Sequence, residues 1–295
     1  MQTGSVRSFI AGGPPSQRTR GGGVPLPTGP VVGTCGFGYQ EWRGRFYPPE
    51  LSPPDWLGFY AKVFEAVELD GTFYRPPERS MVSGWAAALP ERFALAAKVP
   101  RAITHEARLE GEAAVAMLRV FARALEPLGD RLLAVLLQLP PSLAAGEGRG
   151  RLARLLDTRP DGLPVAVEFR HRSWDRPWLR DLLAGAGADL ALADRPGEPR
   201  WPAWEGPVRY LRLLGDRQAT PVIGRPVRDR SADLDRWASL LSSATGGERP
   251  AAAFANNRFE GAGFVTAGEL RRRLRQPAPD AKSLWPEPPL PGFDL

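Results

Sequence analysis

At 295 residues and 43% hydrophobic content, the chain can build one large α/β barrel or two ordinary domains. A single cysteine, Cys35, excludes an internal disulfide and suits a reducing compartment. The net charge of +6 is carried almost wholly by arginine, since only three of the 39 basic residues are lysines; this is mild evidence for an anionic partner.

Residues 1–30 mix Gly, Pro and Arg without apolar periodicity and are expected to form a disordered tail. They lack the continuous apolar segment of a signal peptide, and the longest apolar runs are too short to span a bilayer. No membrane role and a cytoplasmic location are therefore expected. From residue 31 a rhythm begins, with short apolar runs over 31–35, 66–69, 93–97, 132–139, 165–169, 188–193, 208–213 and 251–255.

Helical patterns separate most of these runs. Ser52-Pro53-Pro54-Asp55 offers a cap, first-turn prolines and an acid, before Trp56, Leu57, Tyr60, Ala61 and Phe64 at helical spacing. Over 109–126, Val115, Leu118, Phe121, Ala122 and Leu125 make one stripe. Asp175 is expected to cap a helix bearing Trp178, Leu179, Leu182 and Leu183. Leu234, Trp237, Ala238 and Leu241 mark another helix, and Thr266-Ala267-Gly268-Glu269 reads as the capping box of the last. Residues 276–295 form a Pro-rich tail from which Leu284, Trp285 and Phe293 are placed to dock on the body.

Eight strands alternating with helices over residues 31–275 predict a single-domain (β/α)8 TIM-like barrel. A doubly wound sheet is disfavoured because no Gly-x-Gly-x-x-Gly, and hence no nucleotide-binding motif, joins a strand to a helix. The crossover near residues 195–206 holds three prolines with Trp201 and Trp204, too short and broken for a full helix. Trp42, Trp201 and Trp204 are candidate stacking platforms in loops over the mouth.

Reactive groups in such a barrel sit inward at the C-terminal strand ends. Strand parity places Glu68 and Asp70, with Tyr74 just beyond, at the second strand, Lys98 at the third and Gln138 at the fourth. The fifth ends in Glu168, Arg170 and His171, the sixth in Asp194, the seventh in Arg212 and the eighth in Asn256 and Asn257. The bland alternative is structural ion pairing, Glu168 with Lys98 or Arg212 with Asp194, since such networks mimic sites. His105 reads as a loop or capping residue, and Cys35 as a small buried thiol.

The order of Gly33-Thr34-Cys35-Gly36-Phe37-Gly38-Tyr39, Trp42-Arg43-Gly44, Val67-Glu68-Leu69-Asp70-Gly71-Thr72-Phe73-Tyr74, Gln138-Leu139-Pro140-Pro141-Ser142 and Ala166-Val167-Glu168-Phe169-Arg170-His171-Arg172-Ser173-Trp174 resembles the YecE-like family, domain of unknown function 72. The resemblance implies a TIM barrel over residues 31–275 and adds no established reaction. This chain departs from the family at Cys35 (commonly Ser), Phe37 (commonly Trp), Asp70 (commonly Asn) and Leu214 (commonly His). The first departure argues against a thiol nucleophile, and the last removes a base beside Arg212.

The leading expectation is an enzyme binding a small polar or phosphorylated ligand. Glu168 serves as acid/base with His171 and Asp194, Lys98 and Arg212 hold an anion, and Asn256 orients the ligand. A two-carboxylate glycosidase using Glu68 and Glu168 is a second version. A single Mg²⁺ or Mn²⁺ on Glu168 and Asp194 is left open. Two histidines are too few for a multinuclear zinc site. The alternative is a nucleic-acid-binding or metal-dependent phosphodiester-cleaving protein with weak, electrostatic affinity, carried by helical arginines such as Arg151, Arg154 and Arg271–Arg273. The oligomeric state is not specified by the sequence.

Overall fold

The computed structural model describes residues 26–196, 208–244 and 249–286. Parallel strands β1 (Val31–Cys35), β2 (Ala66–Leu69), β3 (Ala94–Lys98), β4 (Leu132–Gln138), β5 (Val165–Glu168), β6 (Ala188–Asp194), β7 (Tyr210–Leu213) and β8 (Ala252–Ala255) close in sequence order, with β8 pairing back onto β1. The strand and helix sequence is that of a TIM-like barrel. Around it lie α1 (Trp56–Val63), α2 (Arg79–Ala88), α3 (Gly111–Leu125), α4 (Ala145–Asp157), α5 (Trp178–Gly185), α6 (Ser231–Ser242) and α7 (Gly263–Arg273). Residues 197–206 of the expected crossover, with Trp201 and Trp204, most of the N-terminal tail, and Phe293 fall outside the described residues.

Period-2 alternation divides each strand between two cores. Val67, Leu95, Val135, Leu137, Val167 and Leu211 face the helices, where they meet Tyr60, Val115, Phe121 and Leu155. Ala66, Ala94, Ala96, Ala134, Leu136, Ala166, Tyr210 and Phe254 fill the barrel interior. A register shift at Leu95/Ala96 leaves Leu133 as an extra residue on β4, so Leu133 and Ala134 both reach the inner core. Gly33 is required where β1 meets β2, because a Cβ there would lie 1.8 Å from the Ala66 carbonyl oxygen. Tyr60 from α1 clamps the same junction, donating to Ala66 O (3.0 Å) and accepting from Thr34 N (2.9 Å).

Three helix starts differ from expectation. Asp175 does not cap α5, because it closes the preceding 3-10 turn Arg172–Trp174 and Pro177, with no side-chain cap bond, stands ahead of Trp178. The last helix opens at Gly263, three residues before Thr266, whose hydroxyl instead donates to Glu260 Oε2 at 2.6 Å. Thr266 is therefore inside the helix, held by an acid in the preceding loop rather than capping its own N-terminus. Pro53–Asp55 forms a separate 3-10 turn ahead of α1, in which Ser52 Oγ bonds the Asp55 side chain (2.6 Å) instead of a backbone amide. Past α7, Gln276 donates to Pro30 O and Trp285 to Phe46 O (3.1 Å), tying that stretch to the barrel, whereas Leu284, also expected to dock, is exposed because its neighbour Trp285 takes the contact. Among the described residues no helix is long and apolar enough to cross a membrane.

Candidate active site at the barrel mouth

Strand parity and barrel closure bring Glu68, Glu168 and Arg212 together beneath the C-terminal mouth. They are 0%, 1% and 4% exposed, so their pairing is sealed from water. Arg212 meets Glu68 as a fork, with Nη2 on Oε1 (2.7 Å) and Nε on Oε2 (2.9 Å). Its Nη1 donates to Glu168 Oε2 (2.6 Å), and Gln138 Nε2 takes Glu168 Oε1 (2.6 Å). Tyr210 Oη donates to Glu68 Oε2 at 2.8 Å. All four carboxylate oxygens are thus occupied. Burial alone would raise the pKa of Glu168, but the charge and hydrogen bond of Arg212, with the Gln138 bond, hold it below the usual carboxylate range.

Above this floor the polar groups are differently placed. Lys98 is half-buried, with its ammonium 3.9 Å from the centre of the Phe73 ring. Among the described residues that ammonium has no hydrogen-bond acceptor. Burial, then repulsion from Arg212, lowers the Lys98 pKa, with Glu168, Glu68 and Asp70 opposing. Asp70 is pushed the other way, raised by burial and then by Glu68. Its Oδ1 lies so near Gly36 (φ +73°) that a Cβ there would be 3.0 Å away. His105 stands edge-on to Phe73, ring centroids 5.0 Å apart, with Nδ1 2.8 Å from Thr104 Oγ1. Burial first, then Lys98, Arg101 and Arg170, lowers its pKa to about 4, so the imidazole is neutral. Tyr74, 80% exposed, stands at the rim.

Other expected site residues belong to separate networks. His171 Nδ1 accepts from Ser173 N (3.1 Å) and lies 2.8 Å from Ser173 Oγ, which in turn accepts from Ala145 N (2.8 Å) at the start of α4. This is a loop-to-helix tie. Asp194 pairs with Arg230 (3.0 Å) and Arg236 (3.5 Å) and accepts from Trp237 Nε1 (2.6 Å), joining β6 to α6. Neither bland pairing forms as expected, since Arg212 takes Glu68 and Glu168, not Asp194. Asn256 Oδ1 accepts from Arg258 N (2.9 Å) and shapes the turn after β8. Asn257 Oδ1 accepts from Trp42 Nε1 (3.0 Å) and Gly263 N (2.8 Å), while its Nδ2 has no partner among the described residues. Trp42 is fully buried in that cluster and cannot serve as a stacking platform.

The residues suggested for Mg²⁺ or Mn²⁺ do not fit one, because the oxygens of Glu168 and Asp194 already face separate arginines. Among the described residues no three His, Cys, Asp or Glu side chains are grouped to hold a metal. The helical arginines are also engaged: Arg151 with Glu110 and Glu147, Arg154 with Glu112, Arg272 with Glu269, and Arg273 with Asp235 and Glu269. Arg271 is buried on Val63 O. Cys35 is enclosed 3.6 Å from Phe254 O, and burial pushes its thiol pKa well up. Tyr210 and Phe73 are site residues beyond those expected from strand parity, although Tyr210 shares parity with Arg212 and Phe73 lies within the Val67–Tyr74 motif.

Residues 31–290 match the family model described as protein of unknown function DUF72. The UPF0759 protein YunF of Bacillus subtilis is 29% identical over 150 residues, 50% of this chain and 52% of that one. The UPF0759 protein YecE of Escherichia coli K12 is 31% identical over 130 residues, 42% of this chain and 47% of that one. The matches thus span about half the length of these curated relatives. A crystal structure of a DUF72 family protein from Thermotoga maritima superposes with a TM-score of 0.68 at 26% identity, covering 84% of this chain and all of that one. One from Enterococcus faecalis gives a TM-score of 0.66 at 19% identity over 88% of this chain and 98% of that one, a likeness of fold.

Proposed function

The chain belongs to the DUF72 family, and from that premise we propose that its barrel mouth is an enzyme site for a small polar ligand, with Lys98 as the proton-transferring group. One contrast carries this reading. Every oxygen of Glu68 and Glu168 is taken by a fixed donor, whereas the half-buried Lys98 ammonium has only an aromatic face beneath it. A saturated buried carboxylate held below its ordinary pKa is a poor proton carrier. A lysine held below its own gives up its proton more readily.

In this reading Glu168 is a strut, not the acid/base group. It fixes Arg212, whose charge in turn depresses Lys98. Asp70 supplies a second tunable proton site, and neutral His105 offers a ring nitrogen across Phe73. A rigid, prepaired floor costs no reorganisation during reaction.

The test is a thermal-shift screen of hydroxy acids, sugar phosphates and small carbonyl compounds against wild type and Lys98→Met. Compounds that stabilise the wild type are expected to lose their effect in the variant, which keeps side-chain length without the amine. Undiminished shifts in Lys98→Met would remove Lys98 from the site.

A further inference from the structure

We propose that Lys98 is an amine nucleophile that condenses with small polar aldehydes or ketones to form an imine at the barrel mouth. This rests on the reading of Lys98 as the reacting group and adds the bond it forms and the substrate class. Imine formation needs an amine that is neutral part of the time, reachable from the mouth, and unclaimed by a carboxylate. Lys98 is placed for all three. It ends β3 on the inward face, is half-buried, and lies on the Phe73 ring with no oxygen acceptor among the described residues. The buried guanidinium of Arg212, itself fully paired, adds a second cation near it, an arrangement that favours the free amine.

Among the described residues no competing nucleophile is free at the site. Cys35 is buried in the barrel interior, and the Thr72 hydroxyl is spent on Leu69 O and Lys98 O, both at 2.7 Å. The Thr72 bonds also fix the Lys98 backbone relative to the Asp70–Phe73 turn.

The step balances without an oxidant or reductant. The lone pair of Lys98 Nζ forms a bond to the carbonyl carbon, the π pair moves to oxygen, and the cationic nitrogen gives one proton to the Asp70 carboxylate, the acid whose charge acts on Lys98. Asp70 passes that proton to the alkoxide oxygen, giving the neutral carbinolamine. The same carboxylate then takes the remaining N–H proton and delivers it to the hydroxyl, which leaves as water as the nitrogen pair closes the C=N bond. Amine plus carbonyl thus gives imine plus water, with Asp70 returned as the carboxylate. The raised pKa of Asp70 suits it to carry that proton. Hydroxylated or acidic carbonyl compounds suit the mouth, where the charges of Lys98 and Arg170 both act on His105.

The chain has three lysines, Lys62, Lys98 and Lys282, which makes the test direct. The intact protein is incubated with glycolaldehyde, and separately with pyruvate, in the presence of cyanoborohydride at neutral pH. Reduced adducts are then located by peptide mass spectrometry. Lys98 is expected to be trapped by one of the two at least about tenfold faster than Lys62 and Lys282. Lys98→Arg should abolish the fast adduct while keeping the folded signal. Trapping at Lys98 no faster than at Lys62 would overturn the inference. Acetic anhydride labelling in parallel separates the two readings. Fast acetylation of Lys98 without a carbonyl adduct sinks the imine alone, whereas slow labelling by both reagents also sinks Lys98 as the proton carrier.

Discussion

Replacing each acid of the buried triad by its amide should have unequal effects, and the inequality follows from hydrogen-bond supply. Glu68 receives Arg212 Nε and Nη2 on different oxygens and Tyr210 on one of them. An amide at position 68 offers one acceptor oxygen where the guanidinium fork needs two. Tyr210 can turn its hydroxyl to accept, but the Nε–H then faces an NH₂ group and keeps only its longer bond to the other oxygen, at 3.1 Å. One charge-assisted bond is weakened and another becomes neutral, at about 3 kcal/mol together. Glu168 receives Arg212 on one oxygen and Gln138 on the other. In Glu168→Gln the amide oxygen can keep Arg212 while Gln138 flips to present its own oxygen, so about 1 kcal/mol is expected. For a domain of this size those figures correspond to roughly 6 °C and 2 °C in Tm. The assay is differential scanning calorimetry of both variants beside wild type at neutral pH. Equal shifts, or a larger one for Glu168→Gln, would refute the fork as the anchor of the triad.

His105 should titrate by NMR at about 4. Because its folded pKa lies below the unfolded value of about 6.5, the unfolded chain binds more protons between the two. Stability should therefore rise with pH through that window, and His105→Asn should flatten the rise; a titration near 6.5 would contradict this. Asp70→Asn removes an anion that raises the Lys98 pKa, so Lys98, followed by its Cε resonance, should titrate lower than in wild type. It should also cost no stability at neutral pH, since a carboxyl whose folded pKa is raised becomes a burden once pH passes its unfolded value. An upward move of Lys98 would show that Asp70 does not face it. Gly33→Ala, with a Cβ 1.8 Å from a backbone oxygen, should fail to give a cooperatively melting barrel. A wild-type Tm would show that β1 and β2 can part without penalty.

By itself the sequence determined the number and order of the strands and the face each side chain takes. These depend on local alternation and on turn chemistry, which read directly from neighbouring residues. That is why Glu68, Lys98, Gln138, Glu168 and Arg212 were legible as one inward set, and why Trp285 was legible as a docking residue. The partners were not legible. Arg212 joins Glu68, 144 positions away, and Glu168, 44 away, and leaves Asp194 to Arg230. Those choices depend on how strands stagger when the barrel closes, including the extra residue on β4, and stagger is a global property that no short window encodes. The same holds for His171, whose motif looked reactive until α4 supplied the amide that its neighbour Ser173 caps. Only closure of the barrel decided which polar groups are spent on each other and which, with Lys98 foremost, are left facing the mouth.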